Sequence, residues 1–254
     1  MEVIYKFKNI INSFKNKNQS IYRVLYYIIL RVYLLLKLIF VRRYRAKKFT
    51  KLIYKNKLHQ SSIFTQNNRY PFLFNTCKNL FEKIKEPHIL SFGCSTGEEV
   101  NSIRNYISSA HLYGVDINNY CIKQCKRKYS HENNIFTHPN SLIYKGINQL
   151  DAIFCLAVFQ DSKNRHDEQI VKSKQYLFNQ FQSQLMELDS MLKIGGLLFI
   201  DHSDFNFLET VISSDYKILD INNNRITRKR PLFNKYNEKV SNQSTLFRIF
   251  IKIQ

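Results

Sequence analysis

This sequence predicts an α/β fold, a mainly parallel sheet covered by helices on both faces, and three observations carry the prediction. Short apolar runs alternate with helix-spaced runs from residue 86 to the C-terminus. Two of the apolar runs, 151–157 and 197–201, are of the kind that parallel strands buried on both faces require. A third run, Ile89–Phe92, ends in a glycine-flanked turn, Gly93-Cys-Ser-Thr-Gly97, and the next run ends in an acid, Asp116.

Taken in order, Ile21–Val41 reads as a helix in which 18 of 21 residues are apolar or Tyr. At 1.5 Å per residue it would be about 31 Å long. Its three cations, Arg23, Arg31 and Lys37, fall within about 120° of one another at 100° per residue. Residues 49–70 are polar and irregular, a connector or a flap, and Pro71–Lys85 predicts a packing helix. Strands follow at His88–Phe92, His111–Asp116, Ile135–His138, Asp151–Ala157, Leu197–Asp201, Tyr216–Ile221 and Leu246–Ile253. Helices intervene at Gly97–Tyr106, Tyr120–Tyr129 and Gln169–Leu192, the last ended by the glycines of Lys193-Ile-Gly-Gly196. The expected organisation is an extension over 1–58, a connector and packing helix over 59–85, and one domain over 86–254.

Charge separates these parts. The chain carries +20 at pH 7. Residues 1–58 hold 15 Lys/Arg against a single acid, Glu2, while the remainder holds 24 against 18. The basicity therefore belongs to the extension, which argues against a nucleic-acid cleft lined by the core and favours an anionic surface. Three placements of the Ile21–Val41 helix stay open: docked on the soluble domain, lying in a membrane interface, or spanning. Spanning would put Arg31 near the bilayer centre at ~3 kcal/mol, against ~4–8 kcal/mol returned by the aliphatic and Phe residues. The basic stripe suits the interface. Five cysteines, an odd number without zinc-ligand spacing, and no secretory signal predict reduced thiols, a cytoplasmic protein peripheral to membrane if the helix lies on one, and no metal.

The turn and the acid suggest a site for an adenosine. Gly93 and Gly97 permit a sharp bend and close approach of a ligand, and the following helix start offers N–H groups. Asp116 lies 23 residues after Gly93, near the ~20-residue offset of the acid that grips ribose hydroxyls in dinucleotide folds. Ser95 occupies the place of a middle glycine. Cys94 is either a small turn residue or a nucleophile.

Four blocks, SFGCSTGEE (91–99), YGVDIN (113–118), DAIFCLAVF (151–159) and LKIGGLLFIDHSD (192–204), resemble the class I S-adenosylmethionine-dependent methyltransferases, with a local similarity to the chemotaxis-receptor branch. The resemblance covers about 86–254 and implies a Rossmann-like sheet with an antiparallel last strand and S-adenosylmethionine as cofactor. It implies that Phe92, Gly93, Cys94, Ser95 and Gly97 line the methionine part, that Asp116 holds the ribose and Ile117 flanks the adenine. Asn140 would lie near the adenine amino group, and Ala157 and Val158 would face the cofactor. Ser91 departs from the acid often found two residues before the first glycine, and Leu156-Ala157 from the Arg-Asn of the receptor branch.

Methyl transfer from a sulfonium depends chiefly on alignment, and a base is needed only if the acceptor must lose a proton. The candidates are His202 and Asp204, with Gln160 and Asp161 behind them. His202 is otherwise a loop residue satisfying backbone groups, and Asp161 and His166 read as surface residues. No Asn/Asp-Pro-Pro-Tyr/Phe or Pro-Cys sequence supports base methylation. Arg228-Lys-Arg-Pro231 reads as a solvated loop or a contact for an anionic substrate. The acceptor expected is a small molecule, sugar or carboxylate. The alternatives are a non-catalytic adenosine-binding or membrane-recruited adaptor, and an RNA methyltransferase using the basic arm.

Overall fold

A computed structural model describes residues 20–162, 164, 169–173 and 176–254. His166, expected on a surface loop, lies outside the described residues. The described chain forms two compact units divided between Ile53 and Tyr54.

The first unit holds α1 (Ser20–Phe40) and α2 (Arg42–Ile53). The pair bends by 97° between them. Arg45 donates from Nη1 to the carbonyls of Leu38 and Ile39, closing carbonyls left open at the end of α1.

In the second unit, α3 (Pro71–Leu80) starts with proline, which gives up no helical hydrogen bond there. Five strands with intervening helices follow: β1 (His88–Phe92), α4 (Glu98–Tyr106), β2 (His111–Val115), α5 (Asn119–Lys128), β3 (Asn134–Thr137), α6 (Leu142–Lys145), β4 (Leu150–Leu156), α7 (Phe178–Met191) and β5 (Leu192–Asp201). The chain ends with β6 (Tyr216–Ile218), β7 (Arg225–Phe233), β8 (Lys239–Phe247) and β9 (Ile249–Lys252).

Seven strands form one sheet in the order β3-β2-β1-β4-β5-β9-β6. β1 to β5 pair in parallel, and β9 runs antiparallel to both β5 and β6. The strands alternate between two cores, as the period of two demands. Leu90, Ile153, Cys155, Leu198, Ile200 and Phe250 face α7. Ile89, Phe154, Leu156, Leu197, Phe199 and Ile249 face α3, α4 and α5. Phe154 and Phe199 stack at 4.2 Å across β4 and β5. The parallel sheet with helices on both faces and a reversed last strand is the expected one.

Helix α2 runs on to Ile53 in a stretch expected to be irregular, α3 ends at Leu80 instead of Lys85, α6 was not expected, and three larger differences follow. The long helix begins at Phe178, not Gln169, and ends at Met191. Lys193–Gly196 is not its glycine cap. Leu192 already has extended backbone and pairs with Leu150, so the chain passes straight into β5 through a bulge in which Gly195 takes φ +81°. The expected strand Leu246–Ile253 is two strands of different sheets. It breaks at Arg248, where the Asn224 side chain accepts from the backbone N–H of Arg248 and Ile249 at 2.9 and 2.8 Å. The third difference is the separate β7–β8 hairpin. The basic cluster 228–231 lies in β7 instead of a solvated loop, with Pro231 at a register shift where no ladder N–H is needed.

Candidate functional site

The carboxyl ends of β1, β2, β4 and β5 converge on one region of the second unit, and the backbone there is unusual. Gly93 and Gly97 have φ of +78° and +97°. Ser95, Ala157 and His202, all non-glycine, also take left-handed values of +50°, +59° and +54°. Each such residue costs about 1–3 kcal/mol and persists where its surroundings over-determine it. They sit after β1, β4 and β5, next to one another. The amides of Gly93 and Cys94 both donate to the Val115 carbonyl, Ala157 N–H donates to the Asp201 carbonyl, and Val158 packs directly on Gly93. A Cβ at Gly93 would stand 2.7 Å from Val158 Cγ2, so only glycine lets the two strand ends close.

The turn reaches Asp116 directly. Ser95 N–H donates to its Oδ2 at 2.9 Å and Asn118 N–H to its Oδ1 at 2.7 Å. Burial raises this carboxyl to about 6 against the pull of those two donors. Each oxygen keeps lone-pair capacity for a further donor, as a ribose hydroxyl would supply. Cys94 is buried and burial pushes its thiol far above the usual range, which removes the nucleophile reading. Ile117 follows Asp116 and its carbonyl accepts from His138 Nε2 at 3.1 Å. Asn140 is exposed in the loop after β3, its N–H donating to His138 Nδ1. Phe92 is buried, with its ring 6.0 Å from those of Phe159 and His59.

The start of α4 carries Glu98 and Glu99 in its first turn. Glu98 is already engaged there, paired with Lys128 at 3.3 Å and accepting from Thr96 Oγ1 at 2.6 Å. Glu99 also resolves the departure at Ser91. Ser91 Oγ donates to Glu99 Oε1 at 2.8 Å, so an acid stands beside the position although serine occupies it. Burial raises Glu99 to about 8.

Beyond β5 the two expected bases separate. Asp204 is buried and fully engaged: it accepts from Asp161 N–H (2.7 Å), Asn164 Nδ2 (3.1 Å) and Arg230 Nη2 (2.5 Å). Its geometry is that of a clamp between the loops after β4 and β5 and the hairpin. Gln160 is also buried and donates to the Ala157 carbonyl at 2.7 Å. His202 differs. Its Nδ1 lies 3.1 Å from Asp201 Oδ1 and 3.2 Å from Tyr70 Oη. Burial would raise Asp201, but His202, Arg228 and Arg248 outweigh it and hold the carboxyl at about 2. A permanently ionised acceptor places the imidazole proton on Nδ1 and the lone pair on Nε2. Burial lowers His202, and the attraction of Asp201 does not reverse this, so the ring is neutral near pH 7.

Residues 54–70 are no free connector. Tyr54 packs its ring 5.3 Å from His138, Ile63 accepts from Ser95 Oγ at 3.0 Å, and Asn68 N–H donates to Ser102 Oγ at 2.7 Å. His59 stands edge-on to Phe92, Phe159 and Tyr176 and reaches Tyr176 Oη and Gln184 Oε1, both at 3.3 Å. The strap thus touches the ends of β1, β3 and β4. His59, Tyr70, Glu99 and Arg248 were not legible as site residues, and Arg228 was flagged only as a loop residue or a contact for an anionic substrate, not as the partner of Asp201.

Residues 90–200 match the family described as a methyltransferase domain. Solved structures with a similar fold include the plantazolicin methyltransferase BpumL with SAH, at 16% identity and a TM-score of 0.37, covering 66% of this chain and 56% of that one. Another is a ribosomal protein L11 methylase from Lactobacillus delbrueckii subsp. bulgaricus (11%, TM-score 0.43, 74% of this chain and 81% of that one). A third is PKMT2 from Rickettsia typhi with AdoHcy (19%, TM-score 0.37, 52% and 24%). This chain spans little more than half of the plantazolicin enzyme's length. No curated protein matches the sequence. The match, the strand order and the glycine turn together make residues 90–200 a Rossmann-like methyltransferase domain, of the kind that uses S-adenosylmethionine.

Proposed function

We propose that this protein moves a methyl group from S-adenosylmethionine to an oxygen of a small molecule, sugar or carboxylate acceptor. The observation that carries the cofactor half is the junction of the Gly93–Gly97 turn with the Asp116 carboxylate through Ser95 N–H. Bound there, the cofactor supplies a methyl group already activated by the sulfonium charge. Asp116 accepts from the ribose hydroxyls, and Ile117 and Tyr54 flank the adenine. Glu99, largely protonated in the free protein, stands at the start of α4 beside the methionine end and can ionise when the positive charge of the cofactor arrives. The strap 54–70 excludes water from this region.

The acceptor half rests on His202. Its Nε2 takes the proton of an acceptor hydroxyl as the methyl group arrives, and Asp201 holds the ring in the required tautomer. Asp201 is a positioning residue, kept ionised by Arg228 and Arg248. A carboxylate acceptor, already ionised, would need no base at all.

Tritium from the methyl group of the cofactor, followed into the small-molecule, protein and RNA fractions of a cell extract, tests the reading. Label in the small-molecule fraction supports it. Label confined to RNA, or none at all, overturns it. For a hydroxyl acceptor, His202→Gln lowers kcat by about 10²-fold or more, the range of general-base catalysis, with SAH affinity unchanged. An unchanged kcat assigns the acceptor to the carboxylate class, which base-labile label confirms.

A further inference from the structure

The residues named in that chemistry all belong to the second unit, and the first unit has a specific surface of its own. Val24, Ile28, Val32, Leu35 and Ile39 are 41–60% exposed, and with Leu25 at 40% they line one side of α1. At 100° per residue these six lie within about 100° of arc. Arg31 borders the stripe, roughly 20° beyond the edge of the same arc, where a long side chain can bring its charge up to the headgroups. The described residues of this unit, 20–53, hold nine Lys/Arg and no acid. Arg42, Arg43, Lys47, Lys48 and Lys51 of α2 are exposed, with Leu52 and Ile53 among them at 76% and 65%.

We infer that this unit is a peripheral anchor for an anionic lipid bilayer. α1 lies along the boundary between headgroups and acyl chains with its aliphatic stripe inward, and the cations of α2 engage the acidic headgroups. Two features favour lipid over other occupants. Nine like charges with no acid repel a second copy of the same unit and match an anionic surface. No single described helix is long and apolar enough to cross a membrane; α1 and α2 reach that length and apolarity only as a pair bent by 97°, and the five exposed cations of α2 set that half of the pair at the headgroups.

Flotation of the full chain with phosphatidylcholine vesicles, with and without about 30% phosphatidylserine, tests the inference. The protein should float with the anionic vesicles and bind at least tenfold more weakly to neutral ones or when salt rises from about 0.1 to 0.5 M. The quadruple variant Arg42→Gln, Arg43→Gln, Lys47→Gln, Lys48→Gln should lose about a hundredfold or more in partitioning. Ile28→Asn with Leu35→Asn should lose binding even at low salt. All six positions are exposed, and an unchanged melting temperature checks that the fold is intact; the lipid and salt comparisons need no variant. Equal binding to neutral and anionic vesicles overturns the inference. So does retention through alkaline carbonate and high salt, the mark of a spanning helix. Self-association without lipid that the Ile28/Leu35 variant abolishes would assign the stripe to a second copy instead.

Discussion

Protonating His59 should loosen the strap over the site. Burial lowers its imidazole from 6.5 to about 4, with the Gln184 contact opposing the shift only in part. The native state thus prefers a neutral ring that the unfolded chain protonates more readily. Stability from this group is complete above about pH 6.5, falls as pH drops through the window down to about 4, and is level below it. The full loss is roughly 3 kcal/mol, and about 2 kcal/mol is already gone at pH 5. His59→Phe keeps an edge-on ring against Phe92, Phe159 and Tyr176 but cannot titrate. Urea unfolding of both proteins at about pH 7.5 and 5 isolates the term as a difference of differences, which cancels every other titrating group. If the strap opens locally, hydrogen exchange of residues 54–66, corrected for intrinsic rate, reports the same energy as about 30-fold lost protection. An identical pH response of wild type and His59→Phe would refute the argument.

Two further substitutions probe the strand ends. Gly93→Ala forces a Cβ to 2.7 Å from Val158 Cγ2 at φ +78°, and should cost about 2–5 kcal/mol by thermal or urea unfolding while weakening SAH binding. Asp201→Asn leaves Arg228 and Arg248 without their counter-charge and should cost about 3–5 kcal/mol. Because the folded carboxyl sits at about 2, below its unfolded value, its contribution is present above about pH 4 and is lost as pH falls through 2. The Asn variant should show a correspondingly flatter acid limb.

The sheet was legible because the inner stretches of β1, β4 and β5 are buried on both faces and read as short, mainly apolar runs, and Asp116 because its offset from Gly93 is set by one β-turn-α-β unit. The hairpin was not. Arg225–Arg230 is too polar to suggest a strand, and its reason for being one is tertiary: Arg228 and Arg230 reach Asp201 and Asp204 across the fold. Local periodicity carries no trace of such pairs. His59 was hidden for the same reason, since its partners lie more than a hundred residues away. The glycines of 193–196 misled because a helix cap and a strand bulge both call for a left-handed residue, and only the pairing of Leu192 with Leu150 distinguishes them. Asp204 and His202 looked equivalent two residues apart. The buried Arg230 engages one as a clamp, and the Asp201 contact orients the other.

The central claim is that the turn and the Asp116 carboxylate together hold the nucleoside. Titration calorimetry of S-adenosylhomocysteine into wild type and Asp116→Ala tests it most directly. The account predicts saturable one-site binding to the wild type, weakened about tenfold to a hundredfold in Asp116→Ala by loss of charge-assisted hydrogen bonds, with the melting profile of the variant still cooperative. No heat with the wild type, or equal affinity in the two proteins, would contradict it.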